Sequence, residues 1–390
     1  MRSPERRAQG AARYRTRPPS GERTRRMAIA SSESGCYRVP LKPPWGSATH
    51  QITHLELIVT RLRTDAGHEG VGWSYTIGTG GTSAVAFLAE TLLPFLEGKD
   101  PAAVEQLWHA LWMKVRDAGT GGIALLALAS ADVALWDLKA QAAGEPLYRL
   151  LGASRERAEA YGSGVNLNLT LPQLLDQARR WQARGYRAFK MKVGLDDARQ
   201  DVERVRAVRD LLGPGAILMV DANQKWTAAE AVRRIHLLEP LAPWWVEEPL
   251  IADDIPGHEW VKAHTRPPVA VGENLTSKYL FNEYLRRSAA DVVQPDVARV
   301  GGITEWLKIA HLAHAFNVPV SPHLMLEISG HLACAVPNAS LVEDVDGGSL
   351  TELGVLAEPI EVKDGFFTPP PHPGHGVRFD WAALERWRTR

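Results

Sequence analysis

The feature that most constrains this chain is a strand–helix alternation through its second half. After Gly152, eight short apolar, β-like runs fall at 158–162, 188–193, 217–220, 244–246, 269–271, 291–294, 318–321 and 340–342. They recur roughly every 25 residues, mostly with an amphipathic stretch between them, as at 172–184 and 197–212. Neighbouring parallel strands need a crossover, and a helix supplies it, so the pattern predicts a (β/α) barrel. The period is architectural, because the sequence itself does not repeat.

Barrels of this kind gather their chemistry at the C-terminal ends of the strands. Here those ends are consistently ionisable. The second run carries Lys190 and Lys192, and the third ends in Asp221 and Asn223. The fourth ends in Glu247-Glu248, the fifth in Glu273, the sixth in Asp296, the seventh in His323 and the eighth in Glu343-Asp344. A strand has period two, so Lys190 and Lys192 point the same way, into the barrel mouth if Phe189 and Met191 face the helices. Crowding and burial of two ammonium groups are expected to lower their pKa and make one a usable base. Asp221, Glu247 and Glu273 come from successive strands at a constant spacing of 26 residues. Three converging carboxylates need a cation, and hard oxygen donors suit Mg2+. Asp296 beside His323 fixes the ring tautomer and leaves the other nitrogen for proton transfer. The competing explanation is a structural salt-bridge network. It is disfavoured because buried charges without a task are costly, and here every end from the second strand to the eighth carries one.

The first half has a different texture. From about Val39 to Trp73 it reads as strands, with Leu55, Leu57 and Val59 alternating with Glu56, Ile58 and Thr60. From 82 to 150 it reads as helices, giving an α+β domain. The expected division is a basic disordered tail at 1–26, a capping domain at 27–150, the barrel at 151–358 and a Pro-rich segment at 359–390 that returns to the cap. The tail holds nine Arg and two Glu, so a chain of formal net charge zero has a mildly acidic body. It reads as a loose extension, or as sequence upstream of a natural start at Met27. It lacks the apolar centre of a secretory signal, and no stretch reaches the roughly 18 apolar residues of a membrane span. The body has no basic stripe for nucleic acid. Cys36 and Cys334 lie in no metal-like spacing, which fits a reduced, cytoplasmic setting.

Other features receive structural readings. Gly78-Thr79-Gly80-Gly81 is read as a pocket loop, on the expectation that it does not join a strand to a helix as a dinucleotide loop must. His311, His314 and His331 are read as surface or packing residues, and His372 and His375 as parts of turns. Trp45 and Trp73 either narrow a pocket or belong to the core. There is no Gly-x-Ser-x-Gly elbow.

The ordered set of motifs resembles the enolase superfamily, mandelate racemase subgroup. It comprises Lys190-Met191-Lys192, Val220-Asp221-Ala222-Asn223-Gln224, Val246-Glu247-Glu248-Pro249, Gly272-Glu273-Asn274, Pro295-Asp296 through Gly301-Gly302, and Ser321-Pro322-His323-Leu324, together with 129–139 in the first domain. The resemblance implies an α/β fold, a modified TIM barrel (β/α)7β under an α+β capping domain. It implies that Asp221, Glu247 and Glu273 bind Mg2+, and that Lys192 moves a proton on one face of a carboxylate substrate. Lys190 would tune Lys192 and meet the substrate carboxylate. His323, paired with Asp296, would serve the other face. Glu343 would hydrogen-bond the carboxylate as charge develops. A homo-oligomer is also implied.

Asp296 stands where muconate-cycloisomerase-like and dipeptide-epimerase relatives carry Lys, which argues against those branches. The motifs at 66–75, 78–81, 276–277, 295–304 and 306–310 are most similar to the galactarate/L-talarate dehydratases. The expected activity is therefore Mg2+-dependent dehydration of an acid sugar to a 2-keto-3-deoxy acid. The alternative is a racemase or epimerase of a 2-hydroxy acid. The segment between Leu41 and Leu55, which lines the far end of the pocket in that family, is short and expected to carry few polar groups.

Overall fold

The computed structural model describes residues 27–390, and the structural statements below concern those residues. The basic segment 1–26 lies outside them. The capping region is a three-stranded antiparallel sheet in the order β1 (Ile29–Gly46), β2 (Gln51–Thr64), β3 (Glu69–Thr76). β1 begins ten residues before the expected strand start. Its first half is Ser- and Glu-rich and shows no alternation, and pairing with β2 from Ile29↔Thr64 onward defines it. The alternation expected along β2 also fails, since Leu55 through Thr60 are all buried. One face of the sheet is covered by the helix Gly122–Ala143, so polar Thr60 is buried and bonds Ser130 on that helix at 2.7 Å. The approach is close. A Cβ on Gly72 would lie 2.2 Å from the Ser130 carbonyl oxygen, which explains a glycine inside a strand.

The same helix is buried nearly all round because its other side packs on the barrel. Trp136 Nε1 donates to Thr304 Oγ1 at 2.9 Å, and the Thr304 amide donates to Asp132 at 2.9 Å. Among the described residues no helix is long and apolar enough to cross a membrane.

The second half is a curled parallel sheet of seven strands with helical crossovers. The strands are β4 (Ala158–Ser163), β5 (Ala188–Lys192), β6 (Ile217–Asp221), β7 (Val246–Glu247), β8 (Val269–Val271), β9 (Val292–Val293) and β10 (Val342–Val345), with β10 beside β4. The expected strand at 318–321 forms no ladder. Val320 alone makes single parallel bridges to Val293 and to Ala339, which closes the ring. Pro319 and Pro322 bracket it, and a residue without an N–H cannot extend a ladder. Below the mouth, Tyr161, Met219, Trp245 and Leu341 plug the interior. Lys190 rests over the Tyr161 ring at 5.4 Å.

The C-terminal segment adds β11 (Phe366–Phe367) antiparallel to β4 and then runs to the cap, where the Cys36 amide donates to the Arg390 carbonyl. His331 ties these pieces together. Its Nδ1 accepts from the Tyr148 amide at 3.2 Å, and its Nε2 donates to the His375 carbonyl at 3.0 Å. His375 in turn donates from Nε2 to the Val71 carbonyl at 2.6 Å and accepts the Val377 amide at Nδ1, so it joins cap to tail as well as forming a turn.

Burial pulls the His331 ring down to about 3. The unfolded ring titrates near 6.5, so the neutral ring stabilises the fold fully above that pH. The contribution shrinks as pH falls toward 3, by about 1.4 kcal/mol per unit. Between pH 6.5 and 4 the melting temperature should therefore fall more steeply in the wild type than in His331→Gln. Parallel slopes would contradict this assignment.

Candidate active site

β5 alternates as its period requires. Phe189 and Met191 join the apolar layer under the helices, and Lys190 and Lys192 enter the mouth. Lys190 Nζ lies 2.5 Å from Glu247 Oε1, 2.8 Å from Glu343 Oε1 and 3.9 Å from Asp221. Lys192 Nζ donates to Asp221 Oδ2. The expected lowering of both lysines is reversed. Burial alone would lower each ammonium, but Glu247 and Glu343 hold Lys190 well above its ordinary value, and Asp221 raises Lys192. Spacing along one strand shows two neighbouring lysines; it does not count the acids each one meets across the ring.

Asp221, Glu247 and Glu273 converge, with one carboxylate oxygen from each lying within 4.8 Å of the others. All three are buried. Burial pushes Glu247 up to about 7 against the pull of Lys190. Each acid is also oriented. The Asn223 amide donates to Asp221 at 2.8 Å, and Trp245 Nε1 and Gln294 Nε2 donate to Glu247 Oε2 at 3.1 and 2.7 Å. Glu273 Oε1 accepts from Asn274 Nδ2 at 3.4 Å and from Arg299 Nη1 at 3.5 Å, and Arg299 also donates to the Glu273 main-chain carbonyl and to Asn274 Oδ1 at 3.1 and 2.7 Å. Three buried, pre-oriented hard-oxygen donors fit a divalent cation of the Mg2+ type. The next acid, Glu248, turns away to accept from Gln224 and Asn274.

On the other side, Asp296 and His323 form a parallel bridge, and His323 Nδ1 lies 2.7 Å from Asp296 Oδ2. The free nitrogen, Nε2, faces Glu273 Oε2 at 3.2 Å. Burial would lower this ring, but Glu273 and Glu343 raise it. Glu343 accepts from Ser163 Oγ at 2.7 Å and from the Leu324 amide at 2.9 Å. Burial would raise its carboxyl, yet Lys190 and His323 hold it below the usual range. Asp344, on the opposite strand face, points away to Tyr186 and Arg184.

The cap completes a cavity of about 460 Å3. Trp45, Ser47, Thr49, His50 and Ile52 line its far end. The segment expected to be poor in polar groups thus supplies two hydroxyls and an imidazole. Trp45 lines the pocket, its Nε1 donating to the Asp346 carbonyl at 2.9 Å. Trp73 is core, edge-on to His375 and Phe379. The 78–81 stretch does join a strand to a helix, contrary to expectation, because β3 runs on to Thr76 and a helix starts at Gly81. Its helix terminus is already taken, since the Gly81 amide donates to Glu56 Oε2 at 2.8 Å. Tyr75, Ser163 and Arg299 were not singled out from sequence as site residues. Tyr75 and Arg299 sit inside the quoted motifs, which was their only signal.

Residues 34–152 match the mandelate racemase/muconate lactonizing enzyme N-terminal domain, and residues 173–383 match the enolase C-terminal domain-like family. A 3,6-anhydro-alpha-L-galactonate cycloisomerase of Streptomyces coelicolor is 37% identical over 90% of this chain and 96% of its own length. An L-talarate/galactarate dehydratase of Salmonella typhimurium is 37% identical over 80% of this chain and 78% of its own. The crystal structure of an L-talarate dehydratase from a Polaromonas species, complexed with Mg and L-glucarate, superposes with a TM-score of 0.87 at 36% identity. That match covers 93% of this chain and 98% of the other.

Proposed function

This chain belongs to the mandelate racemase/muconate lactonizing enzyme family of the enolase superfamily, and from that premise we propose that it is a Mg2+-dependent acid-sugar dehydratase. The observation that carries the proposal is the placement of two proton-transfer groups at opposite ends of one acid triad. Lys192 sits at the Asp221 end and His323 at the Glu273 end. Mg2+ held by Asp221, Glu247 and Glu273 would supply Lewis-acid stabilisation to a substrate carboxylate as it gains electron density. With Asp221 engaged by the cation, Lys192 would lose the partner that raises it, and its neutral amine would take the proton from the carbon next to that carboxylate. Lys190, clamped between Glu247 and Glu343, keeps its charge and meets the carboxylate. His323 gives its Nε2 proton to the β-oxygen as the C–O bond breaks, while Asp296 holds Nδ1. Water leaves, and the enol tautomerises to a 2-keto-3-deoxy acid.

A panel of mono- and diacid sugars incubated with Mg2+ in deuterated water tests this. Dehydration gives a semicarbazide-reactive keto acid. Deuterium exchange with inversion and no keto acid would replace the proposal with a racemase. No exchange with any panel member would overturn both.

A second activity is favoured by the far wall. Among the described residues lining the cavity, Lys192, Arg299 and His323 lie at the acid triad, so a distal second carboxylate would find no Lys or Arg and only the His50 imidazole. Trp45, Ile52, Val165 and Val345 add apolar surface. Such an end suits a carboxylate substrate whose distal part is neutral and compact, including a ring ether. If the β-oxygen belongs to a ring, the same elimination opens the ring and loses no water, which is an isomerisation. Aldonates and anhydro-aldonates should therefore give larger kcat/KM than the matching aldarates. The reverse order would remove this second activity.

A further inference from the structure

The cap does more than wall the cavity. β3 ends at Thr76, beside the pocket, and the residue before it, Tyr75, is buried and reaches across to the barrel. Its hydroxyl donates to Asp296 Oδ2, the same oxygen that holds His323 Nδ1, and lies 3.4 Å from that nitrogen. The other carboxylate oxygen accepts the Ala298 amide at 2.7 Å and the Arg299 amide at 3.3 Å. Asp296 therefore has three donors besides the imidazole. Two come from its own loop and one from a different domain, 221 residues away in sequence.

The two loop amides fix where Oδ1 sits. Among the described residues Oδ2 meets His323 Nδ1 and the Tyr75 hydroxyl, so Tyr75 is its one partner besides the imidazole that it orients. Ring direction follows, because the Nδ1 bond decides where Nε2 points. Tyr75 is itself held firmly. Its neighbour Ser74 donates to the Leu126 carbonyl at 2.6 Å on the long helix, and Trp73, on the same face as Tyr75, packs edge-on to His375 and Phe379. The next residues, Thr76, Ile77 and Thr79, line the cavity, and Thr76 Oγ1 donates to the Thr79 carbonyl at 2.7 Å.

We propose that Tyr75 is a positioning residue for the general acid: by pinning Asp296 from the capping sheet it aims His323 Nε2 at the leaving oxygen, and so makes leaving-group departure depend on the seating of the cap. Its kinetic consequence rests on the elimination chemistry proposed above. The hydroxyl bonds Asp296 and His323 and not Lys192, so without it proton abstraction continues while C–O cleavage slows. The carbanion-like intermediate then returns to substrate more often.

The test uses Tyr75→Phe in the full-length, Mg2+-loaded protein. With the best acid sugar, kcat should fall about 10- to 100-fold, the effect of a small misplacement of a reacting group, with KM nearly unchanged. The ratio of α-proton exchange to product formation in deuterated water should rise. An unchanged ratio would overturn the proposal. Asp296→Asn provides a second variant. Tyr75→Phe added to it should cost almost nothing further, and an additive loss would overturn the proposal. A spectroscopic arm is independent of turnover. The low-field ring N–H proton of His323, assigned by its loss in His323→Asn, should shift in substrate-free Tyr75→Phe; an unmoved resonance overturns the positioning role. If the wild type dehydrates no sugar acid, the proposed function fails, and this resonance still decides the role of Tyr75.

Discussion

Lys192→Ala should lower turnover by about 10^2- to 10^4-fold while the protein stays folded and still binds Mg2+. General base catalysis by one positioned side chain contributes about 10^2 to 10^4 in rate. Among the described residues no other amine is placed to substitute. Lys190 is committed to Glu247 and Glu343, and Arg299 to Glu273 and Asn274. The loss should appear in both kcat and α-proton exchange, because the substitution removes the first step. This separates it from a His323 variant, which should keep some exchange. Mg2+ affinity should hold or improve, since Lys192 is the cation nearest Asp221 and its removal leaves that carboxylate without its strongest partner. Isothermal titration with Mg2+ and a proton-exchange assay on the same preparation check both halves. Full activity in Lys192→Ala would end the assignment.

Glu247→Gln should be nearly as damaging, by another route. Glu247 is the central member of the triad, and its two oxygens already meet Lys190, Trp245 Nε1 and Gln294 Nε2. The amide keeps the shape and removes the charge. It also turns a donor toward one of these donors, which leaves a buried polar group unpaired. Mg2+ binding should weaken by about 100-fold or more, and activity should fall at least as far at ordinary Mg2+ concentrations. Excess chelator should do the same to the wild type, with full return on adding Mg2+. Glu248→Gln is the informative neighbour. Glu248 faces Gln224 and Asn274, so its loss should weaken Mg2+ binding much less. Equal losses in the two variants would show that the wrong glutamate of the pair had been assigned.

The barrel and its acid triad were legible because both rest on period. A strand every 25 residues or so, and carboxylates 26 residues apart, are one-dimensional signals of a ring. The Asp296–His323 pair was legible for the same reason, since both residues follow adjacent β-like runs in the sequence, and a single parallel bridge joins them. What period cannot show is which oxygen meets which nitrogen. Both lysines were expected to be lowered and stand raised, Lys190 by Glu247 and by Glu343, which arrives from β10 on the far side of β4 from β5, and Lys192 by Asp221 on the neighbouring strand. Tyr75 was invisible as part of the dyad because its contact crosses from cap to barrel. The strand at 318–321 was over-read from its valines, where two prolines limit pairing to single bridges. The early half of β1 was under-read from its serines, where a partner strand supplies the order that composition does not.

All the groups assigned to proton movement grow from the barrel, whereas Trp45, Ser47, Thr49, His50 and Ile52 hang from the hairpin between β1 and β2. Apart from Tyr75, which reaches the Asp296–His323 pair from β3, the cap thus contributes fit while the barrel contributes reactivity. Changes confined to those hairpin positions should alter which ligand fits while Lys192 and His323 stay in place. A combinatorial library confined to Ser47, Thr49, His50 and Ile52 would explore that freedom directly.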